Sequence, residues 1–218
     1  YPVTMMLSRD GYLKKMTDRV LRKATTLKYK DGDEPFIEFD SSNTHDLLVF
    51  TNQCQVYKCK VAAFEDTKSA QLGSYLPTDL EMDADETVTW VIDPEDYKAD
   101  VLFVFENGRV ARVALSGYAT KTNRKRLKNA IYGGSKLIYA TVLKEERDLA
   151  LVSSDYRLVN FNTSILKTKT TNSTQGVQAL TIKGSRTVTM VARQKNSSAA
   201  KLRSKSSAQR SCPQLALP

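Results

Sequence analysis

The chain has 218 residues, with 33 lysines and arginines against 24 aspartates and glutamates, for a formal net charge of +9. A hydrophobic share of 41% is enough for a packed core and excludes wholesale disorder. No apolar run approaches the roughly 18–20 residues of a membrane span, and no leader pattern opens the sequence. We therefore expect a soluble cytoplasmic protein without a membrane partner.

The charge is distributed unevenly along the chain. Residues 1–40 carry 8 basic and 7 acidic groups, and residues 41–100 carry 4 and 12. Residues 101–150 carry 10 and 4, and residues 151–218 carry 11 and 1. The basic second half indicates a polyanionic partner, of which nucleic acid is the commonest. A solvated basic surface followed by a disordered tail is the alternative.

Cysteine and histidine are too few for the usual zinc sites. The chain contains Cys54, Cys59 and Cys212, without a C-x-x-C pair, and a single histidine, His45. Free thiols in a reducing compartment are expected, and His45 has no evident serine or cysteine partner motif. The sequence thus predicts neither a metal site nor catalytic residues.

One pattern occurs four times, at residues 3–16, 47–59, 101–113 and 149–161. Each copy has an apolar run, a short polar turn and an alternating stretch, which predicts a β-hairpin. The turn positions are Gly11, Cys54, Gly108 and Tyr156. Because Cys54 and Tyr156 replace glycine, their turns are expected to be of a different type. The position two residues further on is apolar in every copy, as Leu13, Val56, Val110 and Leu158.

A second, weaker motif follows 21 to 30 residues after each first turn, and it predicts a second hairpin. Its turn centres are Gly32, Ala84, Gly134 and Gly184. About four strands in 45–55 residues is the size of a propeller blade, so the chain is predicted to be nearly all β. The predicted blades are approximately 1–44, 45–96, 97–146 and 147–193, within one domain at 1–193. Residues 194–218 have no strand pattern and predict a flexible basic tail.

With the repeats aligned, the chain resembles the C-terminal domain of the bacterial type IIA DNA topoisomerase A subunit, from gyrase or topoisomerase IV. The resemblance covers roughly residues 3–192. Its most specific parts are CQVYKCKVAAFEDTKSAQLGSYLPTDLEMDADETV and VLFVFENGRVARVALSGYATKTNRKRL. It implies a β-pinwheel, a propeller-like disc of about four four-stranded blades in which neighbouring blades exchange a strand.

The same resemblance implies a function in duplex DNA binding. Sequence-tolerant binding and bending of DNA on a basic rim would present a segment for strand passage. The equivalent cations Lys15, Lys58 and Arg112 would be rim contacts. Further candidates are Arg9, Lys14, Arg109, Lys121, Arg124, Lys125, Arg126, Lys128, Arg157, Lys167 and Lys169. A propeller-type protein-interaction scaffold with a basic targeting tail is the alternative, favoured by the acidic stretch 65–100.

The resemblance departs from gyrase in one connector. Gyrases carry a glycine-rich basic box in the first blade, whereas the matching stretch here, MTDRVLRKATTLKY, contains no glycine. Relaxation or decatenation is therefore expected rather than full gyrase-type wrapping. Nothing in the chain matches the family's catalytic tyrosine, metal-binding acids or ATPase site. We expect an accessory, nucleoid-associated domain without cofactors of its own. Its parent enzyme would use ATP and Mg²⁺, and the partners would be an ATPase B subunit and the rest of the A subunit.

Overall fold

The structure is a computed structural model that describes residues 1–120 and 126–193. Fifteen strands and two short helices are formed in the described part of the chain. The strands of the first half are β1 (Pro2–Ser8), β2 (Tyr12–Met16), β3 (Pro35–Ser42), β4 (Asp46–Thr51), β5 (Val56–Lys60), β6 (Ser74–Tyr75) and β7 (Val88–Ile92). The later strands are β8 (Asp100–Phe105), β9 (Arg109–Ala114), β10 (Arg126–Leu127), β11 (Leu137–Leu143), β12 (Asp148–Ser153), β13 (Leu158–Asn162), β14 (Val177–Gln178) and β15 (Val188–Arg193). The helices are α1 (Asp18–Lys23) and α2 (Leu76–Asp79).

The strands form four small antiparallel sheets, which we call blades one to four. Their strand orders are β3-β1-β2-β6, β10-β5-β4-β7, β11-β8-β9-β14 and β13-β12-β15. The fold is thus the all-β, propeller-like ring that the sequence predicts. Among the described residues, only blade four has three strands instead of four.

The first hairpin of every repeat is confirmed, and its four turns are alike. The residue at the turn position has a positive φ in each blade: 92° at Gly11, 56° at Cys54, 81° at Gly108 and 60° at Tyr156. In each turn its amide donates to the carbonyl three residues earlier, over 2.9–3.2 Å. The expectation of a different turn at Cys54 and Tyr156 is therefore wrong, because the pairing of the flanking strands imposes the left-handed backbone conformation on both residues.

Replacing Tyr156 by glycine should stabilise the fold by about 0.5–1 kcal/mol. The tyrosine ring is exposed, so little packing is lost, and glycine adopts a positive φ without the cost of roughly 1–2 kcal/mol that a side chain incurs there. The glycine's greater freedom when unfolded offsets part of this gain. Urea unfolding measures the change in stability. A Tyr156→Ala variant, which keeps a Cβ, should show no such gain. Equal gains in the two variants would contradict the explanation.

The second predicted hairpin does not form in any repeat. Only its return strand exists, as β3, β7, β11 and β15. The fourth strand of blades one to three comes instead from the next repeat, as β6, β10 and β14. Each of these strands has only two residues, and they pair with β2, β5 and β9 at the outermost edge. The strand exchange implied by the resemblance is therefore present three times.

The hydrophobic core consists of three clusters, one between each pair of successive blades. Met5 and Leu7 of blade one pack with Leu47 and Val49 of blade two. The second cluster joins blades two and three, and the third joins blades three and four. The helix α1 lies against β1, and Met16, at the end of β2 just before it, is fully buried. The connector that contains α1 thus lies beside blade one.

No helix in the described segments is long and apolar enough to cross a membrane.

Candidate nucleic-acid interface

The three cations predicted to be equivalent do occupy the same position in their blades. Lys15 lies opposite Met5, Lys58 opposite Leu48 and Arg112 opposite Leu102. Each is the fourth residue after the turn position of its repeat, as the repeat pattern requires. The same position thus carries a cation in three blades. Whether that cation is free to bind an anion depends on the groups that surround it.

Each of these cations is held by an acid of the same chain. The Lys15 ammonium, only 3% exposed, lies 3.1 Å from Asp66 and donates to the Phe64 carbonyl. Arg112, 16% exposed, lies 2.7 Å from Asp100 and 2.8 Å from Glu146.

Lys58 lies 3.4 Å from Asp46. The placement of these three cations as free charges on an open rim is corrected by the structure, because acids of the chain largely neutralise them.

The Asp46 carboxylate, which binds Lys58, provides a test by pH. Burial alone would raise the pKa of Asp46, but hydrogen bonds from Lys60 and Tyr97 and the charge of Lys58 outweigh it and lower the pKa below 3.8. A depressed carboxyl pKa contributes stability that is present above the unfolded value and lost as the pH falls through the folded value. Asp46→Asn should thus be less stable than the parent at pH 7, and the difference should narrow below pH 4.

Urea midpoints measured from pH 7 to pH 2.5 check this result. Asp31→Asn is the control, because Asp31 is exposed and forms no ion pair within the described residues. A deficit of Asp46→Asn that stays constant over the whole range would contradict the ion-pair explanation.

Two other predicted contacts are engaged within the chain. Lys14 is buried and donates to the Gln71 carbonyl, and burial followed by the charge of Lys28 lowers the pKa of Lys14. Arg9 lies 3.9 Å above the ring of Phe36 and lines the central cavity of about 1070 Å³. Neither residue belongs to an outward-facing cationic surface.

Four of the remaining predicted cations lie on the outermost edges of blades two to four. Lys128 follows β10, Arg157 precedes β13, and Lys167 and Lys169 precede β14; all four are exposed and form no ion pair with described residues. The connector before β14 is fixed along the edge of β9, because the Lys169 amide donates to the Arg112 carbonyl over 2.8 Å. We call Lys128, Arg157, Lys167 and Lys169 the outer cationic arc.

Other cations adjoin this arc. Arg126, in β10, lies 2.9 Å from Asp83 and is therefore partly neutralised. Arg109 is half-buried beside the Gly176 carbonyl. Lys121, Arg124 and Lys125 lie outside the described residues, as does the predicted tail at 194–218.

Lys68, exposed in the connector before β6, was not selected from the sequence. Strand exchange places such connectors at the edge of the preceding blade. Had the exchange been recognised from the repeats, Lys68 would have been a candidate.

The acidic stretch 65–100 is largely used inside the chain. Besides Asp66 and Asp100, Asp83 pairs with Arg126 and Glu95 with Lys144, and Asp93 accepts a hydrogen bond from Ser41. The Glu86 carboxylate is buried among polar side chains. This stretch therefore offers less free negative charge than its composition suggests. No cluster of three or more potential metal ligands occurs in the described residues.

We compared the sequence and the fold with known proteins. No family model matches the chain. The topoisomerase IV A subunit of Bacillus subtilis is 28% identical over 129 residues, which are 57% of this chain and 16% of that protein. The equivalent protein from Staphylococcus aureus is 24% identical over 194 residues, which are 86% of this chain and 24% of that protein. The chain is thus similar in sequence to part of the topoisomerase IV A subunit.

Solved structures agree with this relationship at the level of the fold. The C-terminal domain of DNA topoisomerase IV superposes with a TM-score of 0.73 at 21% identity, over 89% of this chain and 62% of that domain. The E. coli ParC C-terminal domain gives 0.66 at 16% identity, over 88% and 79%. The C-terminal domain of DNA gyrase A gives 0.60 at 17%, over 88% and 65%. The chain therefore has the β-pinwheel fold, and it spans a quarter or less of the topoisomerase IV proteins it matches.

Proposed function

We propose that this chain binds and bends duplex DNA, without sequence preference, as the C-terminal domain of a type II topoisomerase A subunit. The observation that supports this most directly is the outer cationic arc, whose four unpaired cations lie on the outer edges of successive blades. Such a row of cations suits phosphates, which repeat along DNA irrespective of sequence. The proposed partners are an ATPase B subunit together with the rest of the A subunit, and they would supply the parent enzyme's ATP- and Mg²⁺-dependent chemistry.

We further propose relaxation or decatenation as the activity served, and not full wrapping. The connector where gyrases carry a glycine-rich basic box forms α1 here and packs on blade one. Bending DNA over a few helical turns costs on the order of 1–6 kcal/mol. A short arc with few phosphate contacts supports a bend more readily than a complete turn. The acidic stretch gives the scaffold alternative little support, because most of its charges are paired internally.

DNA affinity should fall steeply with salt, with a log–log slope near −0.9 for each phosphate contacted. Titration of a labelled 30-base-pair duplex by anisotropy, between 50 and 200 mM NaCl, measures this slope. The double variant Lys167→Gln/Lys169→Gln should reduce its magnitude by about 2 and weaken all duplex sequences alike.

The matched control is Arg19→Gln/Lys23→Gln, which removes two exposed cations from α1. It should leave the slope unchanged if the arc, and not α1, contacts DNA. A salt-independent affinity, or an equal loss in both double variants, would contradict the proposed interface. Relaxing a plasmid in the presence of the chain separates bending from wrapping, since only a wrap leaves a large handed change in linking number.

A further inference from the structure

The outer edge of blade four differs from the other three. In blades one to three a two-residue strand from the next repeat closes the sheet. In blade four the outermost strand is β13, five residues long, and no described strand pairs with its outer edge. Short edge strands are a common protection against unwanted pairing, and β13 lacks that protection.

The closed blades show which groups of β13 are left open. In them, the turn residue's carbonyl accepts from an amide just after the added strand, over 2.8–3.0 Å. The donor–acceptor pairs are Leu76 to Gly11, Ala130 to Cys54 and Ala179 to Gly108. The corresponding carbonyl in blade four belongs to Tyr156. Antiparallel pairing alternates between the two sides of a strand, so the backbones of Leu158 and Asn160 also point outward.

The clusters between blades bury an apolar side chain that blade four leaves bare. Leu13 and Val110 are each 1% exposed and Val56 is fully buried, whereas Leu158 at the same repeat position is 57% exposed. The edge therefore combines unpaired backbone groups with exposed aliphatic surface, which are the two parts of a strand-addition site.

The chemistry of a suitable occupant follows from the strands that fill the equivalent edges and from the local charge. Each added strand is followed, within a few residues, by a buried aliphatic side chain: Leu76, Ile131 or Leu180. Residues 149–193 contain six cations and one acid, Asp155, which pairs with Arg186. An extended segment with an aliphatic anchor and flanking carboxylates would match both features.

We propose that β13 is a docking edge for an extended segment of a partner protein that pairs as an additional strand, inserts an aliphatic side chain beside Leu158 and places carboxylates near Arg157. DNA offers no strand-forming backbone and no aliphatic anchor, so pairing with β13 is distinct from phosphate binding, although Arg157 also belongs to the outer cationic arc.

The probe is a fluorescent peptide, Glu-Glu-Gly-Val-Gln-Ala-Leu-Glu-Glu, which carries the sequence 176–180 of this chain between glutamates. Anisotropy titration against the full chain should show saturable binding. Replacing the peptide leucine by aspartate, or its glutamates by lysines, should weaken binding at least tenfold. Asn160→Pro should do the same, since it removes an outward N–H from an edge strand and blocks strand addition. Val177→Lys is the matched control, because it alters an equally exposed apolar residue on the already paired β14.

A measurement on the unmodified chain guards against variants that fail to fold. The amides of Leu158 and Asn160 should exchange rapidly with deuterium when the chain is alone and become protected when the peptide is added. Protection of these amides in the peptide-free monomer would mean that the chain's own residues occupy the edge. Protection that appears with a concentration-dependent dimer would assign it to a second copy. Either result, or peptide binding that Asn160→Pro leaves unchanged, would overturn the proposal.

Discussion

Gly73→Ala is expected to lower the free energy of unfolding by about 3 kcal/mol. Gly73 has a φ of 93°, and a Cβ added there would lie 2.3 Å from the Leu13 carbonyl oxygen and 2.8 Å from its carbon. Both atoms are backbone of β2, so neither can move aside cheaply. The left-handed conformation alone costs a side chain roughly 1–2 kcal/mol. Displacing β6 would also loosen the fully buried Leu76, whose burial is worth roughly 1.5–3 kcal/mol.

Gly32→Ala separates the two contributions. Gly32 has a similar φ of 81°, but an added Cβ would have no atom within 4 Å. It should cost only about 1 kcal/mol, the conformational part of the effect. Urea unfolding of both variants gives the difference, and hydrogen exchange should show faster exchange along β2 in Gly73→Ala alone. Equal costs would mean that the close approach of the exchanged strand is unimportant for stability.

Glu86→Ala is expected to cost about 3 kcal/mol, although Glu86 lies in a stretch whose composition suggests a solvated acidic surface. The carboxylate is 4% exposed and accepts hydrogen bonds from Thr51, Gln55, the Tyr57 hydroxyl and the Asp83 amide. Removing it would leave several donors unsatisfied in a place that water reaches poorly, at roughly 1–3 kcal/mol for each group left fully buried. Denaturant unfolding measures the loss.

Two further variants define the origin of that loss. Glu65→Ala removes an exposed carboxylate from the same acidic stretch and should change stability by less than about 0.5 kcal/mol. Glu86→Gln keeps one carbonyl acceptor but turns an NH₂ group toward donors, so its cost should be intermediate. If Glu86→Ala were as mild as Glu65→Ala, the network around Tyr57 would not be a structural element of blade two.

The hairpins were predictable from the sequence because their signals are local. The apolar residues two positions after Gly11 and Gly108, Leu13 and Val110, indicate the buried faces of β2 and β9, and the turn residues fix their register. The exchanged strands carry no such signal, since two residues such as Ser74–Tyr75 show no periodicity. Their partners are also distant in sequence: Tyr75 lies opposite Tyr12. The predicted second hairpin was wrong because an apolar return strand was assigned a partner within its own repeat.

The positions of the candidate cations were predictable from the sequence, but whether each cation is paired with an acid was not. Repeat alignment correctly made Lys15, Lys58 and Arg112 equivalent. It could not show that Lys15 meets Asp66, 51 residues away, because that contact depends on the exchanged connector. The unpaired cations Lys167 and Lys169 were found from the sequence, but nothing local separated them from the paired ones.

Strand exchange has a consequence for how the protein is made. Blade one cannot be closed when its own hairpin leaves the ribosome, because β6 begins 58 residues after β2 ends, counting from 16 to 74. At synthesis rates of roughly 5–20 residues per second, that interval lasts about 3–12 s. During it, the outer edge of β2 is open to other nascent chains. The fourth strand of blades one to three comes from the next repeat, so these blades are completed in chain order. At each stage of synthesis, the blade made last still has an unpaired outer edge.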